Sequence, residues 1–549
     1  MPSPAAGSDQ ADAVYTNARV YTVDEGNSWA EALAVRDGKL LAVGTTEEIL
    51  SLAGDDTEVN DLGGRMLMPG IHDTHVHPVD AGMQSQFECS FRSNDLALVL
   101  ERLRKCVAET PAGEWVRGGQ WNESLLPANV APKAVLDEVA PDHPVFLMDW
   151  SVHNAWVNSR ALERLEIGPE TPDPPGGIIL RDAESGEPTG ILLDNAAYNA
   201  RRRLPAYSRD QIMTGLSWSI RRLAEHGVTT IKDAMSTTPT VEAYVELDRR
   251  DSLPIRVNAS LSWKSAWARS HADELDLIAR RRSLTGRHLA TGFAKIMLDG
   301  VPPTYTAALL EPYEPNELHP ADYRGELMLP PDELIEDVVR LDRQGLSVKI
   351  HATGDRSVRS ALDAFAAARA ANGDSGRIHE VSHAALIHPD DVPRFSELNV
   401  AAEMCPILWY PIPGLDWEAW FGKRGPIWPV RNLVESGALV IYGSDWPVVP
   451  TPNPWPGIEA MVTRRDPHDQ TPGATWPDQA VDLETVIRIF TINGATANAV
   501  RDSSGSLEPG KDADFIVLDR NIFEVPIEAV GETRVLLTVV GGRKIVDAR

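Results

Sequence analysis

Cysteine is scarce in this sequence. Its three cysteines, Cys89, Cys106 and Cys405, show no CxxC spacing, which leaves neither a disulfide framework nor a zinc finger. That scarcity suits a reducing compartment, with the cytoplasm as the default. Uninterrupted apolar runs are missing as well: none reaches the roughly 18 residues of a membrane span. The opening MPSPAAGSDQADA lacks the basic and apolar regions of a secretory signal. Basic charge is in deficit, with 52 Lys and Arg against 80 Asp and Glu, a formal net charge of −28 and a pI near 4.9. Such a surface repels phosphate backbones and anionic lipid, so neither nucleic acid nor a membrane is an expected partner, and the acidity reads as solubility. Lysine is rarest among the charged residues, 10 beside 42 arginines.

What remains is an ordinary globular composition, 43% hydrophobic and 24% charged over 549 residues. At about 150 residues per domain the length suggests several units, but one large barrel with appendages also absorbs it. Short alternating runs at 14–66 (AVYTNARVYTV, ALAVRDGKLLAVG, EVNDLGG) and at 512–547 (DADFIVLD, VLLTVVGG, RKIVD) read as strands and hairpins. They suggest one small β-sandwich built from both termini.

Between them, apolar runs alternate with helical stretches, the pattern of a parallel α/β architecture. Eight candidate strands follow in order: MPGIHDTHVH (68–77), GVTTIKDA (227–234), IRVNASL (255–261), FAKIMLDG (293–300), SVKIHAT (347–353), IHEVSHA (378–384), VAAEMCP (400–406) and LVIYGSD (439–445). Eight is the count of a (β/α)8 TIM barrel. The 150 residues from His77 to Gly227 exceed one βα unit of about 30. The expected organisation is therefore 1–66 as the N-terminal part of the composite β domain, 67–87 as barrel strand 1 and its loop, and 88–205 as an insertion forming a lid or pocket wall. The rest of the barrel takes 206–500, and 501–549 completes the β domain.

His75 and His77 end the first strand at i and i+2, so both imidazoles project to one side. Alone, such a pair is weak evidence. His351, His383 and Asp445 end or closely follow strands five, six and eight, at the barrel mouth where catalysis sits. Histidines and a carboxylate converging there call for a divalent cation, with zinc the leading assignment as one or two ions. Lys295 lies within an apolar strand, where an unpaired ammonium costs several kcal/mol. It can pair with Asp299, reach solvent, or be carbamylated by CO₂ into a bridge between two metals; Lys232 and Lys349 compete for the last role.

PGIHDTHVH, FAKIMLDG, VKIHATGDR, VSHAALIHPDD and YGSDWPV resemble the metal-dependent amidohydrolase superfamily. The resemblance is narrower to the amidohydrolase-3 group, which includes N-substituted formamide deformylases, and it extends through TINGATANA and LEPGKDADFIVLD. It implies His75 and His77 as ligands of one metal, Lys295 as the carbamylated bridge, and His351 and His383 as ligands of the second metal. Asp445 then binds metal, takes the proton of the attacking water and delivers it to the leaving nitrogen. Where the group carries an RIEHAQ-like run, this chain reads HEVSHAA, with His383 in register.

Weaker signals surround this set. His153, in DWSVHNAWVNSRAL, matches a pocket segment of the group and is assigned to a substrate carbonyl, against packing beside a helix start. Asp73 either orients a ligand histidine or caps a turn. His72, His319, His379 and His388 are assigned to packing or surface, and Asp355 to capping the next helix. Seven of 15 tryptophans fall at 409–476, suggesting either an aromatic substrate pocket or ordinary loop packing. Trp446, beside Asp445, is the substrate-binding choice among them. The expected function is hydrolysis, by metal-activated hydroxide, of a linear amide C–N bond in a small N-acyl or N-formyl compound with a hydrophobic group. A cyclic amide, carbamate, ester or lactone is the first alternative, and a non-catalytic barrel scaffold the second. A homodimer is the base-rate expectation.

Overall fold

The computed structural model describes residues 10–549 apart from 94, 123–124, 127–130, 316–318, 409–416, 423 and 469–470. Trp409 lies outside the described residues. The eight expected runs form eight strands: β1 (Ile71–Val76), β2 (Val228–Ser236), β3 (Arg256–Ser262), β4 (Leu289–Met297), β5 (Ser347–Ala352), β6 (His379–His383), β7 (Val400–Met404) and β8 (Leu439–Tyr442). Each pairs in parallel with its neighbours in chain order. Helices cover the outer face, so the strands bury both faces and read as near-continuous apolar runs. Closure from β8 to β1 is brief. Asp445 N donates to His75 O at 2.7 Å, His77 N to Trp446 O at 2.9 Å, and Thr74 Oγ1 to Tyr442 O at 2.7 Å. The result is the expected TIM barrel.

The Ala-rich stretch after β5 forms the helix Asp355–Asn372, which ends at Gly373 with φ 79°, a conformation that favours glycine. Asp355 is not its cap. It lies one residue inside the helix, and its carboxylate accepts from Leu310 N at 2.8 Å. The helix start is held instead by Asp299, which accepts from Gly354 N at 3.0 Å and Ser357 Oγ at 2.6 Å.

Between β1 and β2 the chain builds a six-stranded mixed sheet, in the order Gly177–Arg181, Pro188–Asp194, Asn154–Val157, Val145–Asp149, Val116–Trp121, Cys89–Ser90. It packs around Trp121, Leu147 and Trp156. Here the reading of the cysteines is corrected. Cys89 and Cys106 form a disulfide, their Cα atoms 5.9 Å apart. The helix Leu96–Glu109 folds back on the Cys89 strand and brings together two residues whose spacing carries no recognisable motif. Cys405 is free and buried.

At the far end of the barrel, the termini form a four-stranded sheet and a six-stranded sheet. Met66–Pro69 pairs with Phe515–Leu518 in the latter, and Tyr15, Leu33, Leu67, Phe515 and Val539 share one core. Among the described residues no helix is long and apolar enough to cross a membrane.

Candidate metal centre

His75, His77, Lys295, His351, His383 and Asp445 all open onto one cavity at the C-terminal mouth of the barrel. The i, i+2 spacing aims both first-strand imidazoles at the same carboxylate: His75 Nε2 and His77 Nε2 lie 3.5 and 3.4 Å from Asp445 Oδ1. His383 Nδ1 is 4.0 Å from Asp445 Oδ2. The rings of His75 and His351 flank that of His383, with centroids 4.8 and 4.6 Å away. Three residues at the strand ends sit at positive φ: His383 at 66°, Ala384 at 40° and Asp445 at 60°. Each such position costs about 1–3 kcal/mol and is held only by its surroundings.

These donors fit a divalent cation. Asp445 is only 6% exposed, yet among the described residues no donor hydrogen-bonds its carboxylate. Its contacts are imidazole nitrogens at 3.4–4.0 Å, the spacing of ligands around a common ion. Burial, with Lys295 and Lys349 nearby, holds the His75 imidazole well below its ordinary value. Burial, with His351 and His75, does the same for His383. Both are thus kept in the neutral, ligating form.

The three lysines separate. Lys349 Nζ lies 2.8 Å from Glu380 Oε2, contacts Glu403 and donates to Thr74 O at 2.9 Å. Burial opposes its charge, but the two glutamates hold its affinity for protons above the ordinary lysine value. Lys232 pairs with Glu380. Lys295 faces the cavity, and its side chain donates only to Ser382 Oγ, at 3.1 Å, among the described residues. Burial and the Lys349 charge lower it to about 8. Asp299, the ion-pair partner available in sequence, instead accepts from His351 Nδ1 at 3.1 Å.

Glu403 was not apparent from sequence. Its carboxylate is buried on β7, with Oε1 2.7 Å from His75 Nδ1 and Oε2 on Lys349. It thereby fixes the ring so that Nε2 faces Asp445. The signal was present, a glutamate inside the apolar run VAAEMCP, but its partner is 328 residues away. Asp73 holds backbone rather than a ring: Oδ1 accepts from His75 N at 3.2 Å and Ser444 N at 2.9 Å, tying β1 to the turn after β8.

The inserted sheet contributes His153 to the cavity. Its Nδ1 lies 2.8 Å from Asp194 Oδ1, and its ring centroid is 5.3 Å from that of His351. Burial opposes the His153 charge, but Asp194, with Asp149 and Asp445 beyond, raises the imidazole above its ordinary value. Trp446 does not line the cavity. Its indole lies against Trp218 on the helix Arg209–Glu225, centroids 5.8 Å apart, while its backbone closes the barrel. The aromatic wall is Trp150, Tyr198, Trp267, Trp417 and Trp428. Trp428 is fixed by donating to His383 O at 3.0 Å. His72 contacts Ser504 Oγ, His379 stacks on Phe365 and His319 on Tyr323, while His388 Nδ1 accepts from Asp390 N.

Sequence comparison places these residues among relatives. A model described as the amidohydrolase family matches residues 58–546. Protein LONG AFTER FAR-RED 3 of Arabidopsis thaliana is 30% identical over 551 residues, covering 97% of this chain and 91% of its own. The N-substituted formamide deformylase of Arthrobacter pascens is 30% identical over 542 residues, covering 97% of each chain. The crystal structure of an uncharacterized metal-dependent hydrolase from Pyrococcus furiosus superposes with a TM-score of 0.70 at 26% identity, over 93% of this chain and 99% of its own. The protein belongs to the amidohydrolase family and is a metal-dependent hydrolase.

Proposed function

We propose that the protein cleaves a linear amide bond in a small N-acyl or N-formyl compound carrying a hydrophobic or aromatic group. The observation that carries this reading is a buried carboxylate, Asp445, without a hydrogen-bond donor among the described residues, facing three imidazoles in an aromatic-walled cavity that also holds a carboxylate-free lysine. His75, His77 and Asp445 would hold one divalent ion, most suitably zinc. Lys295 as its carbamate, His351 and His383 would hold a second. When bound, such ions acidify a water and polarise a carbonyl oxygen. Asp445 takes the proton of the attacking water and returns it to the leaving nitrogen, a general base turned general acid. A neutral Lys295 amine is what CO₂ attacks, and its place on the cavity without a carboxylate partner among the described residues favours it over Lys232 and Lys349, which are held by glutamates.

His153, on the inserted sheet opposite His351, donates to the substrate carbonyl, while Asp194 keeps its other nitrogen occupied. That sheet acts as the pocket wall. The aromatic wall takes the hydrophobic group by area burial at about 25 cal/mol per Å². The Arthrobacter pascens relative, named for deformylating N-substituted formamides, supports the linear amide.

The test is turnover of the zinc-loaded protein on a panel of N-formyl and N-acyl amines, lactams, carbamates and lactones. Turnover is expected to be highest on linear amides of arylalkyl amines. Preference for lactams, carbamates or lactones would replace the linear amide with a ring or ester substrate. Stoichiometric metal without turnover on any member would overturn the substrate assignment.

A further inference from the structure

Strands one, four, five, six and eight carry every ligand considered so far. Strand seven carries two more donor groups. Glu403 and Cys405 are two residues apart and project to the same side; the first reaches His75, the second His383. Cys405 Sγ lies 3.7 Å from His383 Nδ1 and 3.8 Å from Glu403 Oε1. His383 Nδ1 in turn lies 4.0 Å from Asp445 Oδ2. The Cys405 sulfur, the His383 Nδ1 and the Asp445 carboxylate all fall within 4.8 Å of one another.

We propose that Cys405 is a metal ligand, forming with His383 Nδ1 and Asp445 Oδ2 a mixed sulfur, nitrogen and oxygen position for a thiophilic divalent ion. Bonds of about 2.3 Å from zinc to sulfur and about 2.0 Å to nitrogen, opened to a tetrahedral angle, set the donors about 3.5 Å apart; the separation here is 3.7 Å. The second, independent observation is Asp445 itself. It is more than nine-tenths buried, its carboxylate oxygens accept no hydrogen bond among the described residues, and Oδ2 points to this side while Oδ1 points to His75 and His77. One carboxylate thus joins an imidazole pair to an imidazole–thiol pair. On ligation the thiol releases its proton to solvent and a sulfur–metal bond forms, with no change of oxidation state. A thiolate donor tilts selectivity toward zinc and cadmium and away from manganese and magnesium. The proposal rests on the metal centre described above.

The experiment is cobalt(II) substitution, read by absorption spectroscopy alongside cobalt content per chain. Cobalt-loaded protein is expected to show a thiolate-to-cobalt charge-transfer band, and Cys405→Ser to lose it wholly while still binding cobalt. In parallel competition assays, the variant is expected to lose at least about tenfold in preference for cadmium over manganese. Cobalt bound without the band, or a band that survives in Cys405→Ser, would overturn the ligand role, leave Cys405 as a hydrogen-bond partner of His383, and keep the metal centre intact. Absence of bound cobalt in the wild-type protein would overturn the centre and the ligand together. Should the variant fail to fold, the wild-type spectrum decides, because Cys89 and Cys106 are joined and Cys405 is the remaining thiol.

Discussion

Asp445 shows how much one residue depends on its neighbours. It sits at φ 60°, its backbone N holds the end of β1, and its carboxylate has imidazoles on both sides. Asp445→Asn keeps the shape and removes the proton acceptor, so kcat is expected to fall by about 10²–10⁴ with an unchanged circular dichroism spectrum. Near-normal turnover would remove its proton-transfer role. Glu403→Gln leaves Lys349 its Glu380 partner but takes the charged acceptor from His75 Nδ1. Metal affinity, measured against a chromogenic chelator, is expected to drop about 10–100-fold. His153→Ala is expected to lower kcat/KM with metal content unchanged; loss of metal would make the residue structural instead. The ligand types were legible in the chain because HxH, the strand-end histidines and GSD are local patterns. Glu403 was not, since a buried acid declares its role only through the partner it meets.

Among the elements, the closure of β8 on β1 leaves little room. A Cβ on Gly443 would come within 2.5 Å of His75 Cβ, and that atom cannot yield without moving the strand carrying the ligand. Gly443→Ala is therefore expected to destabilise the fold by about 1–3 kcal/mol in urea unfolding and to lower metal content at the same time. A stability loss without metal loss would show that the strand relaxes elsewhere. The eight strands were visible as apolar runs because a parallel sheet buried on both faces leaves no other composition. Adjacency points to Asp355 as the cap of the helix after β5, whereas Asp299, 56 positions earlier, reaches it through space. The same adjacency points to Trp446 beside Asp445, whereas the turn aims its indole onto Trp218 and away from the cavity.

For the molecule as a whole, bound cations and folding are linked. The centre places one buried carboxylate without a hydrogen-bond donor among imidazoles, so ions that bind only the native state add stability, about 2.7 kcal/mol at a hundredfold excess over Kd. Chelation is expected to lower the thermal midpoint and zinc to restore it, as measured by calorimetry; a midpoint indifferent to both would place the ions outside the folded core. The inserted sheet and the barrel meet at the cavity through His153, Trp150 and Tyr198 on one side and the strand-end ligands on the other.

Composition and periodicity alone determined the barrel, the shared terminal sheets and the donor types at strand ends, because burial and strand geometry impose patterns on neighbouring residues. Which lysine stays without a carboxylate, which carboxylate holds His75, which tryptophans face the cavity and which cysteines pair were decided by the tertiary structure. Each depends on contacts between residues distant in the chain, and local sequence patterns carry no record of those distances.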